Sequence, residues 1–167
     1  RQRRAGLLMG GVSYLPAGHE PGSPPEVARM RAAARRHPAR PVARCARRTS
    51  RYELFWSLNF AVDRATWQAL GGFDERYEGY GAEDTDLAFT ARSRGVAAWF
   101  VAGAEAFHQH HAVSRPPVEH LDSIVRNARL FHDKWGTWPM EGWLRQFESL
   151  GLVEWEPGAS VPRLRRL

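Results

Sequence analysis

Runs of apolar residues along the chain predict several strands, each bounded by proline, glycine or polar residues. Residues 6–15 predict a buried strand, in which the pair Gly10-Gly11 marks a bulge or a close backbone approach. Residues 52–62 are aromatic and β-branched in character and predict a central strand. Further strands are predicted at residues 96–101 and 104–111.

The helical spacing of apolar residues predicts the other elements. Residues 118–135 repeat apolar side chains at the spacing of an amphipathic helix. Asp63 is placed to cap a short helix that Gly71 ends. The predicted helices are residues 25–36, 64–70, 83–94, 118–135 and 140–150. Because strands alternate with helices, the chain is predicted to be an α/β protein.

The charge of the chain changes this picture only in part. The 167 residues suit one domain, and a net charge of +6 with a pI of 10.4 invites a nucleic-acid interpretation. However, Lys134 is the only lysine, and the arginines gather at the two ends and in residues 29–51. The arginines do not alternate with aromatic residues, as they would in a groove that binds single-stranded nucleic acid. The composition therefore favours a solvated or anion-tolerant surface, and nucleic acid is disfavoured as a partner.

Two further features bear on where the protein works. No apolar run approaches the roughly 20 residues that a transmembrane helix needs, so no transmembrane segment is predicted. Cys45 is the only cysteine, so no internal disulfide can form, which fits a reducing compartment. We expect a cytoplasmic location, either free or peripheral to the inner face of the membrane.

Three carboxylates begin the helix predicted at residues 83–94, namely Glu83, Asp84 and Asp86. One interpretation is structural, since acids in a first turn complement the helix dipole. A second follows from helical spacing, which places Asp84 on the same stripe as Leu87 and therefore at the edge of a cleft. A carboxylate held there can act as a general base on a hydroxyl. The spacing alone favours neither interpretation.

The loop Gly79-Tyr80-Gly81 precedes these acids directly. Its glycines allow the backbone to approach a ligand closely. Tyr77 and Tyr80 offer flat apolar faces with a polar edge, which suits a sugar or an aromatic ligand.

A histidine cluster follows the last predicted strand. On a strand, His108 and His110 would point to the same face, which allows a shared metal ion or phosphate. With no third ligand in view, solvated histidines at a strand end are the favoured alternative.

Together these residues resemble a known family. The motif G-G-F-D-E at residues 71–75, the motif G-Y-G-A-E-D-T-D-L at residues 79–87 and the later F-H-Q-H-H at residues 107–111 are similar to the second half of GT-A-type glycosyltransferases. The likeness is to the family-two enzymes and to the C-terminal region of galactosyltransferases. It implies the acceptor-side half of a GT-A-like mixed sheet with flanking helices and C-terminal helices.

The resemblance implies a role for each matching residue. Asp84 would be the catalytic base of an inverting transfer from a nucleotide sugar, and Glu83 would bind the acceptor or orient the base. Tyr80 would line the acceptor site. His108 or His110 would coordinate a divalent metal, Mn²⁺ or Mg²⁺, on the diphosphate. The implied substrate-binding residues are Gly79, Tyr80, Gly81 and Asp86.

The resemblance also sets the expected organisation of the chain. Residues 1–153 correspond to the acceptor and catalytic-base region, residues 154–167 to a loose basic tail, and the N-terminal nucleotide-binding half is expected to be absent. A donor-half domain or partner chain would then complete the enzyme, and the isolated chain would be inactive. The alternatives are a non-catalytic remnant or carbohydrate-binding module of the same fold, and a small basic nucleic-acid-binding protein.

Overall fold

A computed structural model describes residues 5–18, 24–37, 44–159 and 163–167. Its strands are β1 (Leu7–Tyr14), β2 (Arg35–Arg36), β3 (Arg47–Thr49), β4 (Phe60–Ala61), β5 (Ala98–His108), β6 (Val153–Glu156) and β7 (Arg163–Arg166). Its helices are α1 (Pro24–Ala33), α2 (Arg64–Leu70), α3 (Glu83–Ser93), α4 (Leu121–Trp135) and α5 (Glu141–Ser149), with short 3₁₀ turns at Tyr52–Leu54 and Val118–His120. The predicted α/β class is confirmed.

These elements form two compact units. The first contains Arg1–Gly72 and Leu87–Ala112, and the second contains Phe73–Asp86 and Val113–Leu167.

The first unit is built on a mixed sheet in the order β2-β1-β5-β3, with β4 also paired to β1. β1 and β5 are parallel, whereas the other pairs are antiparallel. The register between β1 and β5 shifts between Met9 and Gly11, which confirms the predicted bulge. A side chain at Gly10 would lie within 2.5 Å of the carbonyl oxygen of Ala104, so the close backbone approach is confirmed as well.

The central strand predicted at residues 52–62 is wrong. Residues Tyr52–Leu54 form a 3₁₀ turn, and only Phe60–Ala61 pair with β1. Leu54 and Phe55 are neighbours in sequence and both are buried, a pattern that a strand with alternating faces does not produce. The Tyr52 hydroxyl donates to the carbonyl of Val96 at 2.6 Å and holds the turn in place.

Two other strand and helix boundaries differ from the prediction. The strands predicted at residues 96–101 and 104–111 are one strand, β5, because Gly103 takes a φ of 79° and absorbs the bulge opposite β1 without ending the pairing. Helix α1 ends at Ala33 rather than residue 36, since Arg35–Arg36 pair with β1 instead. The loop predicted at residues 37–51 contains β3 and in part lies outside the described residues.

The helix α2 and its ends follow the sequence closely. The backbone N–H of Thr66 donates to Asp63 Oδ1 at 2.9 Å, which confirms the predicted cap. Gly71 ends the helix with a φ of 84°.

The second unit packs α4, α5 and a hairpin of β6 and β7 around one apolar core. The core contains Leu121, Ile124, Val125, Ala128, Leu144, Phe147, Val153, Trp155 and Leu164. The loose tail predicted from residue 154 is therefore corrected: β6 and β7 pair antiparallel, because Trp155 and Leu164 are apolar and bury 96–97% of their surface in this core.

Candidate active site

The first turn of α3 presents the predicted acids at different depths. Glu83 and Asp84 are half-buried, whereas Asp86 is fully buried. Asp84 Oδ1 accepts hydrogen bonds from the backbone N–H of Thr85 at 2.6 Å and from its hydroxyl at 3.2 Å. Farther along the helix, Leu87, Ala88 and Ala91 are buried, which confirms the predicted apolar stripe. Asp84 thus lies at the accessible end of a stripe that is otherwise in the interior.

Asp86 has a structural environment that the sequence did not predict. It is 2% exposed, and three donors surround its carboxylate. The Tyr77 hydroxyl and the Trp135 indole N–H donate to Oδ1 at 3.1 and 2.7 Å, and Lys134 Nζ lies 2.8 Å from Oδ2. A buried carboxylate is stable only when it is paired and hydrogen-bonded in this way. Asp86 therefore anchors the start of α3, and its role in substrate binding stays a prediction.

The same cluster extends to a second carboxylate. Asp74 Oδ2 lies 2.6 Å from Arg76 and 3.3 Å from Lys134. The hydrogen bond from Arg76, with help from Lys134, holds the pKa of Asp74 well below its usual range. Burial, together with the negative charge of Asp86, raises the pKa of Tyr77 well above its usual value. Tyr77 therefore remains a hydrogen-bond donor to Asp86 at ordinary pH.

The loop Gly79-Tyr80-Gly81 is pressed against the helices of its own unit. Gly79 and Gly81 have φ angles of 77° and 99°. A Cβ atom at Gly79 would lie 2.8 Å from Ser123 Cβ, and one at Gly81 would lie 2.7 Å from the Met140 sulfur. The glycines thus allow the loop to approach Ser123 and Met140 closely, and their part in substrate binding stays a prediction.

Asn127 of α4 holds this loop through its side-chain amide. It is 1% exposed, and its Nδ2 lies 3.1, 3.2 and 3.0 Å from the carbonyl oxygens of Glu78, Tyr80 and Gly81. Arg126 adds a hydrogen bond to the carbonyl of Glu78 and an ion pair to its carboxylate at 3.2 Å. The loop that carries Tyr80 is therefore anchored through its backbone carbonyl groups.

Tyr80 is held on an aromatic surface. Its side chain is 43% exposed, and its ring stacks on His120 with centroids 4.6 Å apart and planes 6° apart. The Trp143 ring lies 5.8 Å away at an angle of 37°. An exposed ring supported by two others suits contact with the apolar face of a sugar, and the acceptor-site role of Tyr80 stays a prediction.

The predicted histidine pair has a different geometry. β5 ends at His108, so His110 lies beyond the strand and the same-face argument for the two residues does not hold. The His108 ring instead lies 5.1 Å from Tyr14 and 5.3 Å from His111, and its Nδ1 is 2.9 Å from the carbonyl oxygen of Gln109. Within the described ranges, no group of three or more His, Cys, Asp or Glu side chains could hold a metal ion.

The residues in and next to α4 and α5 that support the site were not predicted from the sequence. Asn127 is a polar residue on the apolar stripe of α4, which is the signal that could have found it. Lys134 stands out as the only lysine and lies seven residues after Asn127 on the same helix face. His120 and Trp143 carry no comparable signal, because their contact with Tyr80 depends on how distant segments pack.

A rigid glycine-aromatic loop followed by partly exposed acids at a helix start, on an α/β framework with a mixed sheet, defines a GT-A-like glycosyltransferase domain. A family model described as the N-terminal domain of galactosyltransferase matches residues 37–124, more than half of the chain, and the chain belongs to that family. The match contains Tyr80, Glu83, Asp84, His108 and His110.

Curated relatives agree with this class. The chain is 34% identical over 89 residues to an N-acetylglucosaminyl-diphospho-decaprenol L-rhamnosyltransferase of Mycobacterium tuberculosis, which covers 50% of this chain and 29% of that protein. It is 32% identical over 80 residues to a validoxylamine A glucosyltransferase of Streptomyces hygroscopicus subsp. jinggangensis, covering 43% of this chain and 18% of that protein. The alignments thus span less than a third of these relatives. No solved structure matches the chain.

None of the described helices combines the length and the apolar character that crossing a membrane requires.

Proposed function

We propose that this chain supplies the acceptor-binding and catalytic-base region of a glycosyltransferase that moves a sugar from a nucleotide sugar to an acceptor hydroxyl. One observation carries the proposal: the segment that matches the family contains an anchored loop with an exposed Tyr80, directly followed by the half-buried pair Glu83 and Asp84. The names of the two relatives, a rhamnosyltransferase and a glucosyltransferase, support the same reaction class.

In the proposed reaction, Asp84 is the general base. Its carboxylate takes the proton of the acceptor hydroxyl while the acceptor oxygen attacks the anomeric carbon. The bond from that carbon to the diphosphate breaks, and the nucleoside diphosphate leaves with the electron pair. A single displacement of this kind inverts the anomeric configuration. Glu83, one residue earlier in the same turn, binds an acceptor hydroxyl or orients the base.

The surroundings of Asp84 provide the fixed geometry that such a step requires. Asp86 ties the start of α3 to Tyr77, Lys134 and Trp135, so the helix turn that carries Asp84 has little freedom to move. Asn127 does the same for the loop that carries Tyr80. We therefore assign Asp86 and Asn127 as positioning residues, which act through the residues that they hold.

We also propose a divalent metal, Mn²⁺ or Mg²⁺, for which a donor-binding region in another domain or chain would supply most of the ligands. Bound to the diphosphate, such an ion would act as a Lewis acid on the leaving group. The described residues offer no set of three ligands, so His108 would contribute one imidazole at most. The proposed partners are therefore a nucleotide sugar, a carbohydrate or other hydroxyl acceptor, and a donor-binding region in another domain or chain.

The test is a transfer assay with this chain joined to the donor-binding region of a family member. Asp84→Asn should lower kcat by about a hundred- to ten-thousand-fold, as expected for loss of a general base, with little change in donor affinity. Asp63→Asn is the matched control, because Asp63 is also a carboxylate at a helix start and only caps α2. Equal and small effects of the two changes on kcat would refute the assignment of Asp84.

A carbohydrate-binding module is the second candidate. It is favoured by the exposed ring of Tyr80 together with the lack of a three-ligand metal group among the described residues. Tyr80→Ala would then weaken saccharide binding, measured through tryptophan fluorescence, and no transfer would be detected even with the donor region supplied. Transfer that depends on Asp84 excludes this candidate.

A further inference from the structure

A basic concavity lies between α4 and the hairpin strand β7, within the second unit. It has a volume of about 300 Å³ and is lined from one side by Arg129, His132, Asp133 and Trp138, and from the other by Arg163, Leu164 and Arg165. On the helix surface, Arg129 and Asp133 lie on the side opposite to Asn127, which holds the Tyr80 loop. The concavity, called here the basic groove, is therefore distinct from the proposed acceptor site.

The charges around the basic groove are not balanced within the described protein. Arg165 is paired with Glu154, whereas Arg129 donates, among the described residues, only to the backbone carbonyl of Leu164. Arg163 forms no ion pair with any residue that the structure describes. The one carboxylate in the lining, Asp133, has a side chain that is 82% exposed and lies 4.0 Å from His132. The groove thus gathers guanidinium groups without enough carboxylates to neutralise them.

The walls of the groove are also preorganised. Trp138 stacks on His132 with ring centroids 4.1 Å apart and packs edge-on against the buried Trp155. The indole N–H of Trp138 has no acceptor among the described residues. Arg129 is held against β7 by its bond to Leu164, so it does not need to be ordered when a ligand binds. The planar guanidinium group of arginine matches the geometry of phosphate oxygens and binds two of them at once.

We propose that the basic groove is a phosphate-binding site, in which Arg129 and Arg163 contact the oxygens of a phosphate or diphosphate group and Arg165 and His132 complete the rim. The site does not depend on the proposed transferase activity, since none of these residues belongs to the acceptor site. The same chemistry could be presented by a soluble phosphate ester or by a lipid headgroup.

The experiment is calorimetric titration of the 167-residue chain with pyrophosphate, and co-sedimentation with phosphatidylcholine vesicles that do or do not contain phosphatidic acid. Arg163→Glu should weaken pyrophosphate binding at least about tenfold, the scale of one charge-assisted contact. Arg166→Glu is the matched control: it makes the same charge change on the same strand, but Arg166 does not line the groove and instead pairs with Asp122. Thermal melting of both variants verifies that they fold.

Each result decides the proposal. Pyrophosphate binding that Arg163→Glu weakens at least about tenfold and Arg166→Glu retains supports it, and vesicle binding that pyrophosphate displaces identifies a lipid headgroup as the source. Absence of vesicle binding under the same conditions identifies a soluble phosphate ligand. Equal loss of pyrophosphate binding in both variants, or no binding by the unchanged chain, would overturn the proposal.

Discussion

At the scale of single residues, Asp86 is the position where a small chemical change should have the largest structural effect. Asp86→Asn leaves Lys134 beside a neutral group in a buried setting. We expect the free energy of unfolding to fall by about 2–3 kcal/mol, below the full cost of a broken buried pair because Lys134 can turn its partly exposed amine to water. Urea denaturation measures the change. Asp133→Asn, at an exposed carboxylate on α4, should change it by less than about 0.5 kcal/mol; an equal midpoint for both variants would contradict the anchoring role.

Tyr77, which donates to Asp86, should make the stability of the protein depend on pH in the alkaline range. Burial raises its pKa in the folded protein, whereas in the unfolded chain a tyrosine ionises near pH 10. A raised pKa contributes stability that is fully present below the unfolded pKa and is lost as the pH rises above it. We therefore expect stability to decrease above about pH 10, and Tyr77→Phe should make that decrease less steep. Denaturation midpoints across this range test it; an unchanged slope in the variant would exclude Tyr77 as a source.

At the scale of elements, the loop before α3 depends on its contact with α5. Gly81→Ala introduces both an unfavourable φ of 99° and a Cβ atom 2.7 Å from the Met140 sulfur. Gly151→Ala is the control, because Gly151 also has a positive φ, 66°, but a Cβ there meets no atom within 4 Å. Gly151→Ala should cost about 1 kcal/mol from backbone strain alone, and Gly81→Ala should cost more and shift the Tyr80 environment. Melting curves that coincide for the two variants would show that the Met140 contact is unimportant.

The elements that the sequence predicted well are those whose signals are local. Asp63 and Gly71 mark helix ends through bonds within a few residues, and α2, α3 and α4 lie within three residues of their predicted bounds. The strand predicted at 52–62 and the loose tail predicted from residue 154 were wrong because these segments depend on distant partners: Tyr52 bonds to Val96, and Trp155 packs in a core that also contains Leu121 and Leu164. Propensity reports on such contacts weakly.

At the scale of the whole molecule, the sequence predicted only those residues of the candidate site that lie in a local motif. Asp84, Glu83 and Tyr80 were found from the loop and helix start, but the depth of Asp86 depends on Trp135 and Lys134, 49 and 48 residues away in sequence. The aromatic support of Tyr80 likewise comes from the second half of the chain.

The activity of the chain should also depend on how much of the whole enzyme these residues represent. Its match covers 29% of the rhamnosyltransferase relative and 18% of the glucosyltransferase. We expect these 167 residues alone to show no hydrolysis or transfer with UDP- and GDP-sugars plus Mn²⁺, and to bind Mn²⁺ more weakly than micromolar by calorimetry, because two imidazoles give too few ligands. Clear turnover, or tight metal binding, would mean that this chain holds a complete donor site of its own.

Lys134 also makes the protein unusually simple to label. It carries the only side-chain amine in the sequence, and that amine lies against the carboxylates of Asp74 and Asp86. These contacts hold the amine against the protein, so its attack on an acylating reagent should be slow while α3 is anchored and fast whenever its first turn opens. The rate of acylation at Lys134, followed by mass spectrometry, would therefore report how often the turn that carries the candidate base opens. A bound acceptor that stabilises this turn should lower the acylation rate.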